Sequence, residues 1–165
     1  MKKYLLLLSA IGFLCACNQQ EPHHLSAAER KLRIDSLKAN LLETDIAFSN
    51  LAEESGRNNA FLQYADSSAV MLRKWSKPVT GLNNIVGMLS NHADTAVKLS
   101  WMPIYADVSR AGDLGYTYGT YLIEHKDGQK HTGTYCTIWK RKHNTGWKFV
   151  LGTGNDGLKA EENEF

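Results

Sequence analysis

Four aspartates, Asp45, Asp66, Asp107 and Asp113, and four tyrosines, Tyr64, Tyr116, Tyr118 and Tyr121, have the means for acid–base chemistry in this chain of 165 residues. A carboxylate against an apolar wall can take a proton from carbon, and a phenol facing the oxygen that turns negative steadies the anion. That is isomerase-type chemistry, and it calls for no metal or organic cofactor. Each aspartate also has a plainer use. Asp45 follows Leu41 and Leu42 and precedes Ile46, so it edges an apolar helix face. Asp66 stands where a strand is entered and Asp113 directly follows Gly112, positions where a carboxylate satisfies turn amides. Asp45 and Asp66 remain the catalytic candidates, and the catalytic set as a whole is unassigned.

Aromatic residues suggest a second use. Trp75, Trp101, Trp139, Trp147 and the tyrosines offer large apolar area with a polar handle, which suits a pocket for a small organic ligand. Trp101, Tyr118, Tyr64 and Trp139 are the candidate lining residues, while Trp147, directly after a tight turn, reads as core. Metal ligation has little support. His23-His24 lacks further ligands at suitable spacing, and His125 and His131 flank a hairpin, where exposure is expected. Cys136 would be a nucleophile only beside a base; no Cys–His pairing is evident, so it reads as a buried thiol.

The N-terminus bears on location. Lys2-Lys3, an apolar run over 4–14 and small residues before Cys17 have the layout of a secretory signal, too short to span a bilayer. Leu14-Cys15-Ala16-Cys17 resembles a bacterial lipobox, which implies a signal peptide over 1–16, lipidation of Cys17 and a place in the cell envelope, periplasmic or surface-exposed. Residues 17–28 then form the lipidated tether, 29–157 the domain and 158–165 a polar tail. Loss of Lys2 and Lys3 lowers 19 basic residues to 17, matching the 17 acidic ones. The mature chain is formally neutral, and no basic cluster suggests nucleic acid. Only Cys136 is left within the domain, so no intradomain disulfide can form.

These residues need a scaffold. Ser26-x-x-Glu29 is a capping box. It opens a helix whose apolar face runs through Leu32, Ile34, Leu37, Leu41, Leu42, Ile46, Phe48 and Leu51. Gly56 should stop it after Ser55, and Asn40 is where it could break. Asn58-Asn59 caps a short helix over 60–64, a strand follows over 68–73, a turn at 77–81, and a third helix over 82–89 closed by 91–93. Four long strands then succeed one another, over 97–109, 114–125, 130–142 and 147–151. Pro103 implies a bulge or edge position in the first of these. Asp127-Gly128 suggests a two-residue type I′ hairpin, and Asn144-Thr145-Gly146 a second tight turn. Alternation sets Leu114, Tyr116, Tyr118 and Leu122 against Thr117, Tyr121 and Ile123, and Thr132, Thr134, Cys136 and Ile138 against Tyr135, Thr137 and Trp139.

This order of elements resembles the nuclear transport factor 2-like cone, in its SnoaL-like and ketosteroid-isomerase-like branch of secreted bacterial proteins. The resemblance spans roughly 36–157. It is carried by Glu43-x-Asp45-x-Ala47-Phe48, Tyr64-Ala65-Asp66, Pro78-x-x-Gly81, Trp101-x-Pro103, Gly112-Asp113-Leu114-Gly115-Tyr116-Thr117-x-Gly119 and Tyr135-x-x-x-Trp139. It implies an α+β fold in which a curved antiparallel sheet packs on N-terminal helices around an apolar pocket, with a homodimer across the outer sheet face. Three functions are compatible with it: binding of a small, largely apolar molecule, cofactor-independent isomerase, cyclase or dehydratase catalysis, or a non-catalytic interaction module with a filled cone. The isomerase branch's paired tyrosine and acid are not matched residue by residue.

Overall fold

A computed structural model describes residues 25–90, 97–142 and 146–157. The N-terminal signal, Cys17, His23-His24, the 91–93 closure, most of the 144–146 turn and the C-terminal tail lie outside them.

The first helix, α1 (Ala27–Ser55), starts where the capping box places it. Glu29 N–H donates to Ser26 Oγ at 3.2 Å and Ser26 N–H to Glu29 Oε2 at 2.8 Å. Gly56, at φ 85°, ends it in a backbone state that side-chain-bearing residues avoid. The helix does not break at Asn40. Instead Asn40 Oδ1 accepts a hydrogen bond from Trp147 Nε1 at 3.2 Å, so tertiary contact makes use of the polar residue. The buried stripe is Leu37, Leu41, Asp45, Phe48, Ser49 and Ala52. That is narrower than the expected apolar face: Leu32 is 70% exposed and Ile46 37%.

The second helix, α2 (Arg57–Tyr64), begins three residues early, with Asn58 inside it and Gly56 as its N-cap. It runs straight into β1 (Ala65–Leu72), followed by a short β2 (Val79–Thr80) within the expected turn, and by α3 (Leu82–Ser90). Four long strands complete the chain: β3 (Val97–Val108), β4 (Leu114–His125), β5 (Lys130–Lys142) and β6 (Gly146–Asp156). The last runs five residues past the expected end.

Together they make one sheet in the order β2-β1-β6-β5-β4-β3. It is mixed instead of purely antiparallel, because β1 and β6 pair in parallel. Pro103 sits on the edge strand, and the β3–β4 register shifts between Pro103 and Tyr105, so both expected consequences occur. Gly119 is required opposite this bulge, since a Cβ there would run into the Met102 carbonyl. The Asp127-Gly128 hairpin differs from expectation. Gly128 alone takes positive φ, at 84°, and its N–H bonds to His125 O at 2.9 Å while His125 N–H bonds to Gln129 O. This is a three-residue loop with a glycine bulge, for which one left-handed residue suffices.

The helices lie on the inner face of the sheet. Thr117 and Trp139 are fully buried there, whereas Tyr116 and Tyr118 face outward at 40% and 42% exposure, so the predicted alternation holds.

Candidate functional site: an apolar recess over a buried carboxylate

Midway along the buried stripe of α1, where a helix of this kind ordinarily presents apolar side chains, Asp45 is fully buried. Desolvation of a carboxylate is expensive without partners, and here three neutral groups supply them. Trp101 Nε1–H, from β3, donates to Oδ1 at 2.8 Å. Tyr135 Oη–H, from β5, donates to Oδ2 at 2.8 Å. The Thr117 hydroxyl, from β4, adds a third bond and itself accepts from Trp139 Nε1 at 2.9 Å. One turn on, Ser49 Oγ accepts the Trp101 backbone N–H at 2.9 Å. Burial pushes the Asp45 carboxyl above its ordinary value, against the pull of Thr117, Trp101 and Tyr135. The Tyr135 phenol is held above its own ordinary value by burial and by the neighbouring Asp45 charge.

Above this knot a recess of about 150 Å³ opens to the surface. On the helix side it is walled by Phe48 and Phe61, and on the sheet side by Trp101, Tyr121, Tyr135 and Phe149. Phe48 is the hub: its ring centroid lies 4.6 Å from that of Trp101, 5.1 Å from Phe61 and 5.7 Å from Phe149. Met71 from β1 closes one side, and Gly152 and Gly154 of β6 leave bare backbone beneath. The lining is almost wholly apolar. Asp45 does not line it; its contact with the recess runs through Trp101 and Tyr135.

Solved proteins share the fold that carries these residues. A nuclear transport factor 2-like protein of Novosphingobium aromaticivorans superposes with a TM-score of 0.63, covering 87% of this chain and 99% of its own at 13% identity. A ketosteroid isomerase-like protein of Erwinia carotovora atroseptica does so with 0.58, covering 73% and 96% at 9% identity. The chain has the nuclear transport factor 2-like fold. A Catenulispora acidiphila protein, solved in complex with S-DNPA, matches with a TM-score of 0.59, covering 74% of this chain and 94% of its own at 12% identity. No protein-family model matches the sequence, and no curated protein matches it.

Within this fold the predicted residues separate. Trp101 lines the recess and Asp45 lies directly under it. Tyr118 does not belong there: it stacks on Tyr105 on the outer face, with centroids 5.3 Å apart. Trp139 is fully buried core, its Nε1–H spent on Thr117. Tyr64 stacks on the far side of Phe48 at 4.9 Å and borders a separate polar hollow with Lys148 and Glu43. Asp66 is a structural anion. It is paired with Lys142 and accepts Ser68 N–H at 3.0 Å and Ser68 Oγ–H at 2.8 Å, and Lys142, ahead of Ser68, holds its carboxyl far below the usual range. Asp107 pairs with Lys38 at 2.8 Å, and Asp113 accepts from Ser109 Oγ at 2.7 Å in its turn. Tyr121 walls the recess, yet its hydroxyl bonds to Asp156. His125 is half-buried against the exposed His131. Burial raises the Cys136 thiol above its ordinary value, in keeping with an inert group.

Tyr135 as the partner of the buried acid is not foreseen from the sequence, although Tyr135-x-x-x-Trp139 is among its motifs. Its inward alternation with Thr137 and Trp139 was the available signal.

Proposed function

We propose that this domain binds a small, largely apolar molecule in the recess between α1, α2 and the inner sheet face. The observation that carries the reading is the recess itself. Protein interiors are close-packed, and an aromatic-walled opening of about 150 Å³ at the centre of the cone is space the chain leaves unfilled. That favours binding over a filled interaction module. It is smaller than the few hundred cubic ångströms, about 300 or more, usual for drug-sized ligands. The S-DNPA complex of the Catenulispora acidiphila protein supports ligand binding by this fold.

Acid–base catalysis is the second reading, favoured by the Asp45–Tyr135 pair beneath the recess. Both Asp45 oxygens are already engaged, which weakens its candidacy as a free base. An Asp45→Asn protein that converts a substrate at the wild-type rate would remove Asp45 from that role.

In this reading Cys17 carries the lipid that holds the domain in the cell envelope. Cys17→Ser is expected to move the protein from the membrane to the soluble fraction, and unchanged membrane fractionation would refute the anchor. The outer face, where Met102, Tyr105, Leu114, Tyr116 and Tyr118 are each at least 40% exposed, supports a homodimer. A native mass spectrum of protein purified from its own host tests both claims. The expected species is a dimer carrying added mass; a bare monomer would count against ligand and dimer alike.

A further inference from the structure

We propose that the recess selects a flat ligand of a single aromatic ring, and that Gly152 and Gly154 of β6, with Met71 of β1, set that limit. The inference rests on the binding reading above and narrows its ligand class.

Three glycines lie side by side on the inner face of the sheet. Gly152 pairs with Thr137, Gly154 with Tyr135, and Gly133 with Asp156. Glycine in a strand weakens it and marks places where something approaches the backbone closely. At Gly133 an added Cβ would run first into the Asn155 carbonyl oxygen, and also into the Tyr121 ring at 2.6 Å. Tyr121 thus lies across the sheet as one wall of the recess. At Gly154 a Cβ would meet Tyr121 Cε1 at 3.2 Å, and at Gly152 it would meet Met71 Sδ at 3.0 Å. Gly152 and Gly154 thus let Met71 and Tyr121 pack directly against the peptide, and both glycines border the narrow space left between those side chains.

Size and chemistry agree. An apolar cavity of about 150 Å³ accommodates a benzene-sized molecule. The walls offer ring faces and edges from Phe48, Phe149, Trp101 and Tyr135, and a thioether, which interacts well with aromatic edges. A four-ring molecule would fit inside this volume only with Met71 or Tyr121 displaced, and Tyr121 is tied to Asp156.

The test uses the full-length protein carrying Cys17→Ser, titrated calorimetrically with toluene, naphthalene and progesterone. Toluene is expected to bind saturably, at least tenfold more tightly than naphthalene, with progesterone failing to bind. Gly152→Ala and Gly154→Ala should weaken toluene binding at least tenfold. Met71→Ala, which removes a flexible side chain and keeps the strands, should raise naphthalene affinity at least tenfold and so gives a gain that misfolding cannot mimic. Progesterone binding as tightly as toluene, or alanine variants with wild-type toluene affinity, would overturn the size limit and leave the binding reading standing. Failure of every compound, with wild type and Met71→Ala alike, would overturn the binding reading itself.

Discussion

Replacing Asp45 by alanine should lower stability by about 3–5 kcal/mol, since it strands one buried and two part-buried donors at once and each unsatisfied group costs about 1–3 kcal/mol. For a domain of this size that corresponds to a fall in Tm of roughly 10 °C. The donors are Trp101 Nε1–H, Tyr135 Oη–H and the Thr117 hydroxyl, drawn from three strands onto one helical residue. Asp45→Asn should be far milder. Its carbonyl oxygen can accept from Trp101, and its amide can donate to Tyr135 Oη, which reverses that bond without breaking it.

The same residue gives a pH signature. Burial raises the Asp45 carboxyl in the folded chain above its ordinary value of 3.8. Above pH 3.8 the folded chain therefore keeps a proton that the unfolded chain has lost. Stability must fall as pH rises from there through the folded value, and the loss is complete beyond it. Asp66, Asp107 and Asp113 are shifted the other way, Asp66 chiefly by Lys142, Asp107 by Lys38 and Asp113 by Ser109. Their contributions are present above pH 3.8 and are lost as pH falls below it, so the two windows do not overlap. Urea midpoints measured from pH 4 to 8 should decline for wild type relative to Asp45→Asn. Parallel curves for the two proteins would show that Asp45 titrates normally.

Phe48→Ala should be comparably damaging, at about 3–5 kcal/mol, the usual range for a buried phenylalanine. Phe48 is 4% exposed, and five aromatic rings surround it, with Trp139 and Tyr64 joining the three that wall the recess. Truncation would leave the rings of one helix and three strands facing a void. Phe48→Leu, closer in volume, should cost less than about 1.5 kcal/mol. Near-UV circular dichroism and denaturant midpoints report both changes. A loss under 1 kcal/mol for the alanine variant would mean that the cluster repacks freely and is no hub.

These two residues also show where the sequence was readable. Ser26-x-x-Glu29 and Gly56 bracketed α1 correctly because caps act locally. Pro103 announced its bulge for the same reason, as a missing N–H is a property of one residue. The buried stripe was harder. Its members at 37, 41, 45, 48, 49 and 52 include Asp45 and Ser49, whose polarity blurs the hydrophobic period that a helix reading depends on. Trp101, Tyr135 and Thr117, all remote from it in sequence, make that polarity affordable. Tyr118 failed as a lining residue because alternation separates two faces without naming the inner one, and both faces of β4 carry tyrosine. Gly152-Thr153-Gly154 reads locally as the end of a strand, yet pairing with Thr137 and Tyr135 carries β6 through it.

The claim that the recess is a binding site can be tested at one atom. Met71 lines it, while Met88 lies on α3 and Met102 on the outer face at 56% exposure. In protein labelled with ¹³C at the methionine methyls, added toluene should move the Met71 signal progressively to saturation and leave Met88 and Met102 in place. A Met71 signal that stays fixed at saturating toluene would contradict the account.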